Sequence, residues 1–182
     1  MLFTHDTEVN LTFLAALLDT ASGASESGED ELATTGQLAG LIARAKFTGR
    51  IDRDARELRQ VRAARTSIRE VWGADEEAVV TWVNETLASA RAVPRLVDHD
   101  GVGWHIHASS ATAPLAERMR VEAALAFVDV IRAGRLDRLR ECEADDCTGV
   151  FVDLSKNGSK RFCSTRCGNR MAVRAYRARA GG

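Results

Sequence analysis

All four cysteines of this 182-residue chain fall between positions 142 and 167. Their spacing is Cys-x4-Cys (Cys142, Cys147), then fifteen residues, then Cys-x3-Cys (Cys163, Cys167). Nothing else in the chain restricts the fold so narrowly, because thiols paired at such short spacing tend to face one another across a turn. A chain of this length buries roughly 70% of its unfolded surface and needs no covalent reinforcement. The cluster therefore has a local purpose.

Compartment decides what that purpose is. Residues 1–6, Met-Leu-Phe-Thr-His-Asp, lack a basic region followed by an apolar core, and no apolar run approaches the roughly 20 residues that span a bilayer. The expectation is a protein made and kept in a reducing cytoplasm, away from membranes, where clustered cysteines are metal ligands more often than disulfides. Structural zinc, a redox pair and unlinked buried thiols all remain conceivable, but four thiolates complete a tetrahedral zinc shell and leave no open position. One Zn2+, structural and not catalytic, is expected at Cys142, Cys147, Cys163 and Cys167.

The net charge of −1 conceals an asymmetry. Residues 155–182 hold eight basic side chains (Lys156, Lys160, Arg161, Arg166, Arg170, Arg174, Arg177, Arg179) and no acidic one, whereas the preceding residues hold seventeen basic against twenty-six acidic. An acidic body with a basic end directs only the end towards a polyanion.

Along the body, apolar residues recur at helical spacing. Leu11, Leu14, Ala15 and Leu18 predict a helix over 7–20, capped by Asp6 or Thr7. Residues 22–30, small, polar and acidic, read as a mobile surface loop. A second helix over 37–46 buries Leu38, Leu41, Ile42 and Ala45. A third follows Asp52 as its cap, with Ala55, Leu58, Val61, Ile68 and Trp72 inward and Arg53, Arg56, Arg59, Arg62, Arg65 and Arg69 on the other face. Since Asp54, Glu57 and Glu70 are interleaved, that arginine row reads as a solvated face and not as a nucleic-acid surface. Asp75 starts a fourth helix with Val79, Trp82, Val83 and Leu87 buried, its tryptophan being core and not pocket lining.

Beyond Pro94 the period changes to two. Residues 95–98 and 102–107 predict a β-hairpin, turned at His99-Asp100-Gly101. His105 and His107 share one face of its second strand, a pattern able to bind zinc. With no third ligand evident, the pair reads as an exposed polar face. Pro114 then opens a helix running to about 133, apolar nearly all round between 123 and 131 and therefore central, and Gly134 ends it.

In the terminal segment, Asp145-Asp146-Cys147-Thr148-Gly149 turns the backbone towards Cys142. Residues 150–153 and 160–162 predict a hairpin that returns the chain to Cys163. From there a helix would carry Cys163 and Cys167 on consecutive turns of one face, at its positive N-terminal end. Phe151 and Phe162 are the expected small core. Knuckle, hairpin and ligand-bearing helix form a treble-clef-like arrangement, which below about 40 residues depends on its metal to fold.

The run Cys142, Cys147, Val150-Phe151-Val152-Asp153-Leu154-Ser155-Lys156-Asn157-Gly158, Arg161-Phe162-Cys163-Ser164, Cys167-Gly168-Asn169-Arg170 resembles the CGNR zinc finger of bacterial proteins with an N-terminal ABATE domain, regarded as stress-induced transcription regulators. The family often has a bulkier aromatic where this chain has Phe162, a change that keeps the packing role. The resemblance implies an α+β protein. It has a mostly helical ABATE-like domain with a β-hairpin over 1–134, in a sensing or interaction role, and a C-terminal treble-clef-like zinc finger over 135–182 that binds DNA. It leaves open a small-molecule effector and a homodimer.

On a helix from about 164, Arg166, Arg170, Arg174 and Arg177 follow 4, 4, 3 spacing and form one stripe suited to phosphates, beside Lys160 and Arg161. Asn169 reads a base edge or steadies the turn after Cys167. Three alternatives stand beside duplex DNA: docking of the stripe on an acidic body, a zinc-organised protein-interaction module, and RNA binding. Neither a nucleophile elbow, nor a Gly-x4-Gly-Lys-Ser/Thr loop, nor a His-Glu-x-x-His helix is present, so no enzyme is expected.

Overall fold

The computed structural model describes residues 2–45, 47–98 and 103–180. Its elements in chain order are α1 (His5–Leu18), α2 (Thr35–Ala45), α3 (Ala55–Val71), α4 (Glu76–Ser89), β1 (Arg95–Val97), β2 (His105–His107), α5 (Leu115–Arg132), β3 (Leu139–Glu141), β4 (Val150–Val152) and α6 (Thr165–Ala180). Two antiparallel two-stranded ribbons, β1–β2 and β3–β4, accompany the helices, which makes the fold α+β and mostly helical. The turn expected at His99-Asp100-Gly101, with Val102 and the second helix's end at Lys46, lies outside the described residues.

The apolar run predicted for α5 is buried because α5 is the axis of the molecule. It packs against α1, α3 and α4, and Met119, Ala123, Phe127 and Val130 are wholly excluded from solvent. Phe127 takes Trp72 edge-on at 6.1 Å and Trp82 at 5.7 Å. Such aromatic contacts add about 0.5–1.5 kcal/mol to simple burial. Pro114 stands just before the helix as its N-cap, and Gly134, at φ 63°, follows its C-terminus in the left-handed conformation that glycine tolerates.

Helix starts differ from the expected ones by a side chain's choice of partner. The cap of α3 is Asp54, not Asp52: Asp54 accepts from the Glu57 amide at 2.7 Å, while the Glu57 carboxylate reaches back to the amides of Asp52 and Arg53. In α1, Thr4 occupies the cap position without a side-chain bond, and Glu8 accepts from the Leu2 and Phe3 amides instead. Thr7, read as a cap, is buried in α1 and donates to Asp129 of α5 at 2.6 Å.

The segment over 22–30 consists of turns and bends at the surface, as expected, and its end is anchored to the body so that it forms a platform. Asp30 holds both guanidinium nitrogens of Arg65 at 2.7–2.9 Å and takes Arg62 as well. Arg65 is thereby buried, and the arginine row of α3 is divided: Arg65 turns inward, Arg62 joins the same carboxylate, and Arg69 pairs with Glu141 at 2.7 Å.

The C-terminal hairpin also differs. β4 pairs with β3, in the register Leu139↔Val152 and Glu141↔Val150, so the partner strand precedes the first cysteine. Residues 160–162 form no strand. Asp153, wholly buried, accepts from the amides of Ser155 and Lys160 at 2.9 Å and closes the intervening loop without a ladder. Leu139, Val150 and Val152 enter the same core as α1, α3 and α5, and Trp72 donates to the Arg140 carbonyl.

Candidate metal centre and basic helix

The β3–β4 ribbon sets the first half of the thiol cluster. At its open end the Cys142 amide donates to the Gly149 carbonyl at 2.8 Å, and the Cys147 amide to the Ala144 carbonyl at 3.0 Å, which curls 142–149 into a knuckle. Gly149 sits where a Cβ would come within 3.1 Å of the Cys163 sulfur and 3.2 Å of the Cys147 sulfur, so a side chain there would intrude on the cluster. The second half comes from the start of α6. Cys163 precedes the helix and Cys167 lies in its first turn; the two are not on consecutive turns of one helix. Ser164, Thr165 and Arg166 lie between them, and the Ser164 hydroxyl accepts from the Cys167 amide at 3.2 Å in the manner of a cap.

All four sulfurs lie within 4.8 Å of one another. Cys147 to Cys163 is 3.8 Å and Cys163 to Cys167 is 3.7 Å. A tetrahedral zinc with Zn–S bonds of about 2.3 Å separates its sulfurs by about 3.8 Å. The thiols therefore fit one zinc ion with all four positions filled.

Their protonation supports the same fit. Burial pushes the thiols of Cys147 and Cys163 up. Burial also opposes ionisation of Cys167, but hydrogen bonds from Ser164 and the neighbouring thiols outweigh it and bring Cys167 down to about 7. Burial thus disfavours the thiolates of Cys147 and Cys163 until a cation is present; a bound metal deprotonates its thiols and folds the segment as it does so. Phe162 and Met171 pack around the cluster with Ala144. Phe151 turns the other way, buried, with the Lys160 ammonium 4.6 Å from its ring centre.

The knuckle rests on the platform. Thr148 donates from its amide to the Gly23 carbonyl at 3.1 Å, and Asp19, the C-cap of α1, accepts from the Val150 amide at 2.7 Å. Gly23 has φ 89°, and a Cβ on it would meet the Thr148 hydroxyl at 3.1 Å, so glycine is needed there for two reasons.

The basic side chains are not all free. Arg166 donates to the Glu26 carbonyl at 2.6 Å. Arg170 and Arg174 both reach Asp146 at 2.7 Å, and Arg174 also pairs with Asp145. Despite local desolvation, these guanidinium groups hold the Asp146 carboxyl below its ordinary range. Arg161 pairs with Glu143 at 2.6 Å. Asn169 and Arg177 are exposed, as is every residue of α6 from 172 to 180. Arg170 and Arg174 thus pair with carboxylates of the knuckle, within the same terminal segment, where the expectation had been an acidic body. Asp145, Asp146, Asp19 and Ser164 carry no weight in the cysteine pattern; the one sequence signal was the Asp-Asp pair within the knuckle, facing a helix of arginines.

A helical body whose core continues into a ribbon and a four-thiol cluster, with a basic helix beyond it, has the features of a zinc-finger protein. Two family matches agree with that class. Residues 11–134 match the ABATE family, described as "Putative stress-induced transcription regulator", and residues 138–180 match the CGNR zinc finger. The chain belongs to the ABATE family. No curated protein matches it. No helix of the described residues is long and apolar enough to cross a membrane.

Proposed function

We propose that this protein regulates transcription by binding duplex DNA through α6, with the zinc site as the clamp that aims the helix. The observation that carries this reading is the stance of α6. It is fixed at its start by Cys167 and Ser164, stands exposed from 172 onward, and bears Arg166, Arg170, Arg174 and Arg177 along one side. Lys160 and Arg161 extend the basic surface, and Asn169 is exposed two residues beyond Cys167. The ion pairs with Asp145 and Asp146 do not oppose the reading. Exposed pairs contribute only about 0–1 kcal/mol each, so phosphates can replace those carboxylates.

The test is titration of zinc-loaded protein with a labelled duplex across a salt series. If about five phosphates are neutralised, log K falls against log salt with a slope near −4.5. An Arg166→Ala, Arg177→Ala double variant should lower affinity and flatten that slope while keeping one zinc per chain. No duplex affinity at low salt would sink the reading in favour of a protein partner. One observation favours that second reading: Val173 and Tyr176 are 48% and 67% exposed on the same helix, an apolar strip suited to another protein surface.

A further inference from the structure

We propose that the outer face of the β1–β2 ribbon is a self-association surface: the protein pairs with a second copy of itself through Leu96, Trp104 and Ile106, the two ribbons stacked antiparallel about a twofold axis. The surface belongs to the helical region, and the pairing stands whether or not α6 binds DNA.

The ribbon is turned opposite to its pattern. Strand alternation gives it two faces, and a ribbon lying on a body ordinarily keeps its apolar face inward. Here the face with His105 and His107 is the inward one: the His107 ring meets the Glu122 carboxylate of α5 at 2.7 Å, and Val97 beside it is half-buried. The other face holds Leu96 and Ile106, which are cross-strand partners, and Trp104, two residues before Ile106. These three are 67%, 45% and 74% exposed. A single exposed apolar side chain means little, but three that adjoin form a patch. A two-stranded ribbon is also marginal by itself in water, so a cover on this face would stabilise it.

Area and charge both favour a second copy as that cover. The three side chains together leave roughly 400 Å2 of apolar surface in water, within the range of the largest patches on monomers. Two copies face to face enclose roughly 800 Å2. At the roughly 65% apolar share of homodimer interfaces, this corresponds to about 1,200 Å2 in all, where specific interfaces begin. The patch itself carries no charge, so it has no feature that selects a partner of opposite sign, whereas an apolar face complements itself about a twofold axis. The charges at its ends agree. Arg95 opens β1 and Asp98 follows it; both are exposed, and neither forms an ion pair among the described residues. A twofold axis crossing the Leu96–Ile106 pair runs the two β1 strands antiparallel and sets Arg95 of each copy against Asp98 of the other. Stacked sheets lie about 10 Å apart, a gap that an arginine and an aspartate on edge strands can span.

The experiment is sedimentation equilibrium of untagged, zinc-loaded, full-length protein across about a hundredfold range of concentration. Wild type should pass from monomer to dimer. Acrylamide quenching of tryptophan should fall in step, because Trp72 is already buried and Trp104 is the tryptophan that pairing covers. Trp104→Asp and Leu96→Asp should each weaken the dimer about 10- to 100-fold. Both positions are exposed, so the helical circular dichroism should not change. Arg95→Asp and Asp98→Arg should each weaken it as well, and the two together should restore it, as an exchange of paired charges requires. A wild type that stays monomeric at every concentration would overturn the proposal, whether the face then takes up lipid vesicles or a different protein. So would a dimer that keeps its affinity in Trp104→Asp, or a double charge exchange that binds no better than either single variant.

Discussion

At the level of single residues, the most consequential side chain outside the thiols is Asp30. It ends the acidic run over 22–30, and its carboxylate is the counter-charge that lets Arg65 be buried between α1 and α3. The Arg65 hydrogen bonds hold its carboxyl down at about 2, against an ordinary value of 3.8. A carboxylate whose pKa falls on folding stabilises above its unfolded pKa, so this contribution is complete above about pH 4 and is lost as pH falls towards 2. Asp30→Asn leaves a buried guanidinium without its charge partner. It should cost about 3 kcal/mol at neutral pH, measured by urea unfolding, and should flatten the acid limb of the stability profile relative to wild type. Equal stability of variant and wild type at pH 7 would place the support of Arg65 elsewhere, for instance in Thr20, which it also donates to. Composition marked 22–30 as solvated because no residue in it is apolar and large. Its order comes from a partner 35 residues away, which local pattern does not carry.

Among the elements, what could be read in advance was whatever depends on local periodicity. The stripe of Leu11, Leu14 and Leu18 located α1, the near-continuous apolar run located α5 at the centre, and Asp75 marked the start of α4 by its own cap bond to Ala78. The cysteine spacing alone predicts that the four thiols converge, and they do. Strand partners were harder: Val150-Phe151-Val152 alternates no more strongly with residues 139–141 than with 160–162, and the choice is made by burial of Leu139 in the body core. The placement of the arginines on α6 was legible, but their pairing was not, because the knuckle that carries Asp145 and Asp146 is folded back by backbone hydrogen bonds that local pattern does not display. That pairing makes an element-level prediction. Asp145→Asn with Asp146→Asn frees Arg170 and Arg174 and removes two negative charges beside them, so duplex affinity at low salt should rise about three- to tenfold, read by fluorescence anisotropy. If the carboxylates only pin the helix, the double variant binds more weakly and α6 loses order by circular dichroism.

For the molecule as a whole, the two matched regions meet through a common interior and not only through a linker. Leu139, Val150 and Val152 fill the core that α1, α3 and α5 enclose, and Asp19 and Gly23 hold the knuckle from the other side. Chelation of the zinc should therefore do more than unfold α6: amides of Leu17 and Leu18 in α1 should exchange faster with deuterium, while those of Phe127 and Val130 in α5 stay protected. Unchanged protection at the end of α1 would mean that the ribbon holds without its metal. There is also a consequence for how the protein is made. Synthesis is vectorial, and the residues that complete the body core leave the ribosome after the helices they complete. A nascent chain halted with residue 134 just clear of the tunnel lacks Leu139, Val150 and Val152, and would present an unsealed hydrophobic seam along α1 to chaperones and proteases until the ribbon arrives.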